Sequence, residues 1–158
     1  MKDSFSFILV LLALHTSVAK KIQNLDDFPE LEKVIHSAVT KLVPREMEDG
    51  STLAFQHGEK NPFTGWFKHV RETGELRSLE EYKNGKPHGL YIYWWKNGRK
   101  AEEKNFHDGI SHGLWESWYP NGHKQLEQSV ENGKLHGPAT RWYSNGQKKD
   151  DSLYQNGR

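Results

Sequence analysis

His-Gly pairs at 88–89, 112–113 and 136–137 recur every 24 residues, and nothing else in the chain constrains its fold as tightly. Asn-Gly or Asp-Gly recurs at the same interval, at 84–85, 108–109, 132–133 and 156–157. A second turn series runs through Asn97-Gly98, Asn121-Gly122 and Asn145-Gly146, with Thr73-Gly74 one period earlier. Self-similarity at a fixed short period implies units that bury surface mainly against their neighbours. Four units result, at about 60–83, 84–107, 108–131 and 132–155. The first is degenerate, with Thr64-Gly65 in the His-Gly position, and "QNGR" represents a fifth.

Glycine-bearing turns thus fall alternately 11 and 13 residues apart. Asn-Gly between apolar and polar runs is a strong hairpin signal, because both turn residues take positive φ. Each unit reads as two antiparallel strands of about seven residues. The first strand follows the His-Gly pair, as in "LYIYWW", "LWESWY" and "PATRWY". The second is charged and closes on Tyr82, Phe106, Val130 or Tyr154. Stacking aligns Trp94, Trp118 and Trp142 in one ladder and Trp95, Tyr119 and Tyr143 in the next. Neighbouring residues of a strand point to opposite faces, so both faces carry aromatics. With six Trp, six Tyr and seven Phe in a chain only 34% hydrophobic, aromatic slabs replace an aliphatic core. The expected fold is mainly β: an elongated single-layer antiparallel β-meander of 24-residue hairpin repeats with one N-terminal α-helix.

Residues 1–19 have a Lys at position 2, an apolar run from Phe5 to Leu14, and Ser17 and Ala19 at −3 and −1 of a cut. That is the pattern of a secretory signal peptide cleaved after Ala19, so the mature chain is expected to be exported: periplasmic, in the cell envelope or secreted. Residues 20–50 read as a helical cap and linker, and 51–158 as the repeat domain. Apolar residues at 28, 31, 34, 35, 38, 39 and 42 form a helical stripe, with Pro29 in the first turn and Pro44 as terminator. A solitary helix of about four turns is marginal in water, so it must dock. It reads either as a cap over the first strands or as a partner-binding helix that lies over the aromatic face and can be displaced. The stretch at 51–58 reads as an extra first strand.

Few residues invite a chemical role. The periodic histidines His88, His112 and His136 stand about 9.6 Å apart, twice the interstrand spacing, too far to share one ion. They are read as structural, with Gly89, Gly113 and Gly137, each ring packing on the aromatic strand or bonding a turn carbonyl. His57, His69, His107 and His123 are irregular and read as exposed. His107-Asp108-Gly109 offers a metal-ligand pair, but its Asp-Gly occupies the turn slot held elsewhere by Asn-Gly. The strand carboxylates Glu102, Glu103, Glu127, Asp150 and Asp151 lie among lysines and read as solubilising and edge-protecting. No catalytic set, metal site or cofactor motif stands out. The formal net charge of +1 argues against a nucleic-acid binder. No cysteine occurs, which removes disulfides and thiolate chemistry, and none of nine asparagines begins an N-glycosylation acceptor.

The pattern N-G-K-x-H-G-x-x-x-x-W-Y-x-N-G-x-K, preceded by "KNPFTGWF" at 60–67, resembles the MORN (membrane occupation and recognition nexus) repeat. It is most similar to the variant of bacterial exported and cytoplasmic proteins, some of them antitoxin-like. The resemblance covers about 60–158 and implies a non-enzymatic scaffold for protein–protein interaction. Trp94, Trp95, Trp115, Trp118, Tyr119, Trp142 and Tyr143 are the candidate partner-binding aromatics, since interface hot spots are rich in such rings. The partner expected is a protein or peptide. Membrane-surface binding is the alternative the family name and interfacial Trp and Tyr raise, against which stand the balanced charge and the lack of a polybasic run. An antitoxin- or immunity-like role is a special case of the first reading.

Overall fold

The computed structural model describes residues 29–158. The expected signal peptide and the start of the helical stripe lie outside these residues. A helix, α1 (Pro29–Ser37), is followed by a hairpin of β1 (Leu42–Glu46) and β2 (Thr52–Gln56). The repeats then build one antiparallel meander: β3 (Gly65–Val70), β4 (Leu76–Lys83), β5 (Lys86–Trp94), β6 (Lys100–His107), β7 (Ile110–Ser111), β8 (Gly113–Trp118), β9 (Lys124–Glu131), β10 (Lys134–Trp142) and β11 (Lys148–Tyr154). The expected β-meander with an N-terminal helix is what forms.

The helix is shorter than its apolar stripe. Ala38 N–H still donates to the Val34 carbonyl, but Val39 then pairs with the first repeat strand. Its N–H donates to the Trp66 carbonyl, and its own carbonyl accepts from Lys68 N–H. Val39, Thr40 and Val43 are β-branched and favour this extended course. Pro44 therefore terminates no helix. It lies within β1 of the two-stranded sheet, opposite Ala54, where a missing N–H is tolerated. The stretch at 51–58 does contain a strand, but it pairs with β1 instead of extending the main sheet.

The two turn series are different objects. Asn84, Asp108, Asn132 and Asn156 have φ of 49–52° and are each followed by a glycine at positive φ, as a tight primed hairpin requires. In the other series only the glycine is positive: Gly98 at 78°, Gly122 at 92° and Gly146 at 85°. Gly98 N–H donates to the Trp95 carbonyl and Trp95 N–H to the Arg99 carbonyl, a type I turn closed by a glycine bulge. The His-Gly pairs at 88–89 and 136–137 lie inside a strand, not ahead of it. Between β4 and β5 the pairing moves from Tyr82↔Pro87 to Glu80↔Tyr91, leaving His88, Gly89 and Leu90 opposite Glu81 alone. Gly89 and Gly137 take the positive φ this bulge needs, and at Gly113 the same bulge divides β7 from β8.

The primed turns form one edge of the stack, where Gly109, Gly133 and Gly157 donate to the carbonyls of Pro87, Ser111 and Leu135 of the preceding unit. Gly85 makes the same bond to Phe63 but is also roofed by β2: an added Cβ would lie 2.8 Å from Leu53 Cβ and 3.0 Å from Ala54 backbone atoms. At Gly109 it would meet nothing within 4 Å. Alanine at either position costs about 1–2 kcal/mol for the left-handed backbone. Gly85→Ala should cost a further 1–3 kcal/mol or so through overlap with β2. Equal losses in urea unfolding would show that the hairpin does not seat on that turn.

Candidate functional site

Cross-strand partners share a face, so the registers define what each side of the sheet presents. On the side that α1 covers, one row runs Leu79, Ile92, Glu103, Glu116, Glu127, Thr140, Asp151. Beside it, Leu76, Trp94, Lys100, Trp118, Lys124, Trp142 and Lys148 come from the turn-proximal ends of successive strands. The apolar end of both rows is the core: Leu79, Ile92 and Trp94 have no accessible surface and pack with Trp66, Val34 and Ala38. Burial of such side chains stabilises by about 1.5–3 kcal/mol each. The helix thus seals the first units and leaves the later ones open.

Past the helix the same positions carry a repeated Trp-Lys-carboxylate arrangement. Lys100 Nζ lies 2.7 Å from Glu103 Oε2 and 4.1 Å from the centre of the Trp118 ring. Lys124 Nζ lies 2.5 Å from both Glu116 and Glu127, and 6.0 and 5.8 Å from the Trp118 and Trp142 rings. Burial pulls the Lys124 ammonium down, but the two carboxylates outweigh it and its pKa is raised. Lys148 pairs with Asp151 at 2.8 Å. The Glu103 carboxyl is buried and held above the usual carboxylate range by desolvation, which its Lys100 partner only partly offsets. Glu103 is therefore no solubilising surface group, as its charged neighbourhood in sequence implied. A bulge at Ala101, where Tyr93↔Glu102 gives way to Trp94↔Lys100, brings residues three apart to one face.

The seven aromatics expected to meet a partner divide. Trp94 is fully buried and cannot touch one in this fold. Trp118 and Trp142 are partly exposed on the open half of the helix side, with Leu114, Pro138 and Leu153 exposed along the next row. Trp95 and Tyr119 are tied to the stack: Trp95 Nε1–H donates to the Trp118 carbonyl and Tyr119 O–H to the Trp142 carbonyl, both at 3.0 Å. Arg71, one period before Trp95, does the same work by donating to the Trp94 carbonyl at 2.6 Å. Tyr143, one period after Tyr119, is half exposed with Lys149 5.7 Å over its ring. Trp115 lies on the opposite face, under Lys104 at 4.1 Å, with its indole N–H donated to Glu102. On that face burial, with Glu80 or Glu102 nearby, pushes the Tyr82 and Tyr91 hydroxyls up to about 12.

The turn asparagines explain themselves. Asn97 and Asn121 accept the N–H two residues on with Oδ1, and donate Nδ2–H to Pro120 and Ser144 carbonyls of the next unit. Asn145 keeps the first bond, to Gln147 N–H. Among the described histidines, the ring bonded to a turn carbonyl is His123, with Nδ1 2.9 Å from Ser144 O, and none of the three periodic ones. His112 is exposed and its backbone N–H donates to Asn105, while His136 lies 3.8 Å from Glu131. His88 faces Asp108 at 3.1 Å, and its ring lies 5.0 Å from that of His107, tilted by 46°.

Residues 111–132 and 135–156 each match the family model of the MORN repeat variant. Two of the chain's units, over 111–156, are thus MORN-variant repeats. The two matches fall on the half of the sheet beyond the helix, and the registers above show the same unit continuing upstream to β4–β5. MORN repeats are scaffold modules for protein or membrane binding. No curated protein matches the chain. Among solved structures, it is similar to that of an S. aureus TarM mutant in complex with Fondaparinux, alpha-GlcNAc-glycerol and UDP, at 14% identity and a TM-score of 0.36. The match covers 91% of this chain but spans only 25% of that one, and it carries no argument about fold or activity.

Proposed function

We propose that the protein is a non-enzymatic scaffold that binds a protein or peptide partner in the cell envelope or outside the cell. The observation that carries the reading is the open half of the helix-side face. There Trp118 and Trp142 remain partly exposed beside Leu114 and Leu153, at 42% and 80% exposure, with Lys124, Glu116 and Glu127 between them. Large rings next to apolar spots and alternating charges are what protein interfaces favour. Export rests on the signal pattern of residues 1–19, and mass spectrometry of the mature chain should find Lys20 at its N-terminus. A toxin-neutralising role is one form this scaffold could take.

The family's other ligand class is the membrane surface. With a formal net charge of +1 and Lys100, Lys124 and Lys148 each paired to a carboxylate, electrostatic attraction to anionic lipid is weak. Immobilised mature chain should retain a discrete protein from an extract of its native compartment, and should not sediment with anionic vesicles at physiological salt. Tight vesicle cosedimentation with no protein retained would replace the scaffold reading with the membrane one.

A further inference from the structure

At the edge formed by the primed turns, one unit departs from the others. His88 of one repeat meets His107 and Asp108 of the following turn, and one potential ligand atom from each lies within 4.8 Å of the other two. We propose that these three residues form a binding site for a divalent transition-metal ion of the zinc class. Two imidazoles and one carboxylate are the donor set such ions prefer. Bonds of about 2.0–2.2 Å place neighbouring donors near 3.5 Å apart, so small rotations close the site. Its base is firm: His88 sits on the strand bulge and Asp108 in a two-residue turn at φ 49°. Three protein ligands leave a fourth position for water or for a group from a partner.

The repeat itself supplies the comparison. The slots filled by His88, His107 and Asp108 hold Thr64, Lys83 and Asn84 in the preceding unit. They hold His112, Glu131 and Asn132 in the next, and His136, Gln155 and Asn156 in the last. Asn suits the left-handed turn position as well as Asp, so folding does not ask for a carboxylate at 108. Nor does it ask for an imidazole at 107, where Lys, Glu and Gln serve the same turn. In the preceding unit the slot residue accepts the turn N–H, Asn84 to Thr64 Oγ1 at 2.9 Å. His88 Nδ1 is 3.4 Å from Asp108 N, and its closer neighbour is the Asp108 carboxylate. Among the described residues no other His, Asp and Glu group comes together in this way. His88 still stands a full repeat away from His112, and the site draws on one periodic histidine and two residues outside the series.

The test is calorimetric titration of the untagged, full chain with Zn²⁺. The control is His107→Gln with Asp108→Asn, which installs the pair the chain already uses at 155–156 and keeps the turn. The expected result is one equivalent bound by the wild type, and binding weakened by more than roughly tenfold in the variant, a scale that even outer-shell partners of metal sites reach. Thermal unfolding of the metal-free forms should be unchanged by the substitutions. Absence of stoichiometric binding to the wild type would overturn the proposal. So would equal binding by the folded variant, which would place the ion on other histidines.

Discussion

Trp94→Ala is expected to lower unfolding free energy by about 3–5 kcal/mol, the range for deleting a buried aromatic. Trp94 has no exposed surface and fills the space between the sheet and α1, against Leu79, Ile92, Val34 and Ala38. Trp118 and Trp142 hold the same repeat position but stay partly exposed, with lysine side chains near their rings. Alanine at 118 should cost less than at 94, and at 142 least of all, since cover declines along the stack. Trp94→Phe should recover much of the loss, because the buried Trp94 indole N–H has no partner among the described residues and phenylalanine removes that unpaired donor. Urea unfolding of the three alanine variants checks the order; equal losses would mean that α1 seals nothing.

Breaking the Lys100–Glu103 pair is the second large effect. Both side chains are buried, at 7% and 5% exposure, so Glu103→Ala strands an ammonium and should cost about 3–5 kcal/mol. One period earlier the same two positions are Leu76 and Leu79. The double variant Lys100→Leu with Glu103→Leu therefore copies an existing unit and should be at least as stable as wild type. Its advantage has a defined pH dependence. Burial raises the Glu103 carboxyl pKa, so the folded wild type binds that proton more tightly than the unfolded chain does. Wild-type stability then falls as pH rises through the raised value, and the double variant's advantage shrinks towards acid. A double variant as unstable as the single one at neutral pH would show that the ion pair, not its volume, holds this layer.

The period, the hairpins and the alternation of aromatic ladders were legible because turn chemistry and strand spacing act locally. The placement of α1 was legible too, although the signal is not in the helix: Leu76-x-x-Leu79 stands where later units have Lys100-x-x-Glu103, Lys124-x-x-Glu127 and Lys148-x-x-Asp151. Leucines on one unit alone mark the face that must be covered. Strict alternation hid this, since residues three apart share a face only through bulges such as that at Ala101. Pro44 misled because helix-ending and edge-strand prolines look alike in sequence. The neighbourhood of His107 needed the fold, because it joins two residues of one turn to a histidine 19 positions upstream.

Capture of the native partner by the full chain and by a Trp118→Ala, Trp142→Ala double variant bears most directly on how the protein works. Both rings lie outside the sealed core, so the variant should keep its fold, as circular dichroism and cooperative unfolding would report. Hot-spot rings typically contribute 2 kcal/mol or more, so retention of the partner should fall by more than roughly tenfold. Undiminished capture by the folded variant would contradict the account and move the working surface off this face.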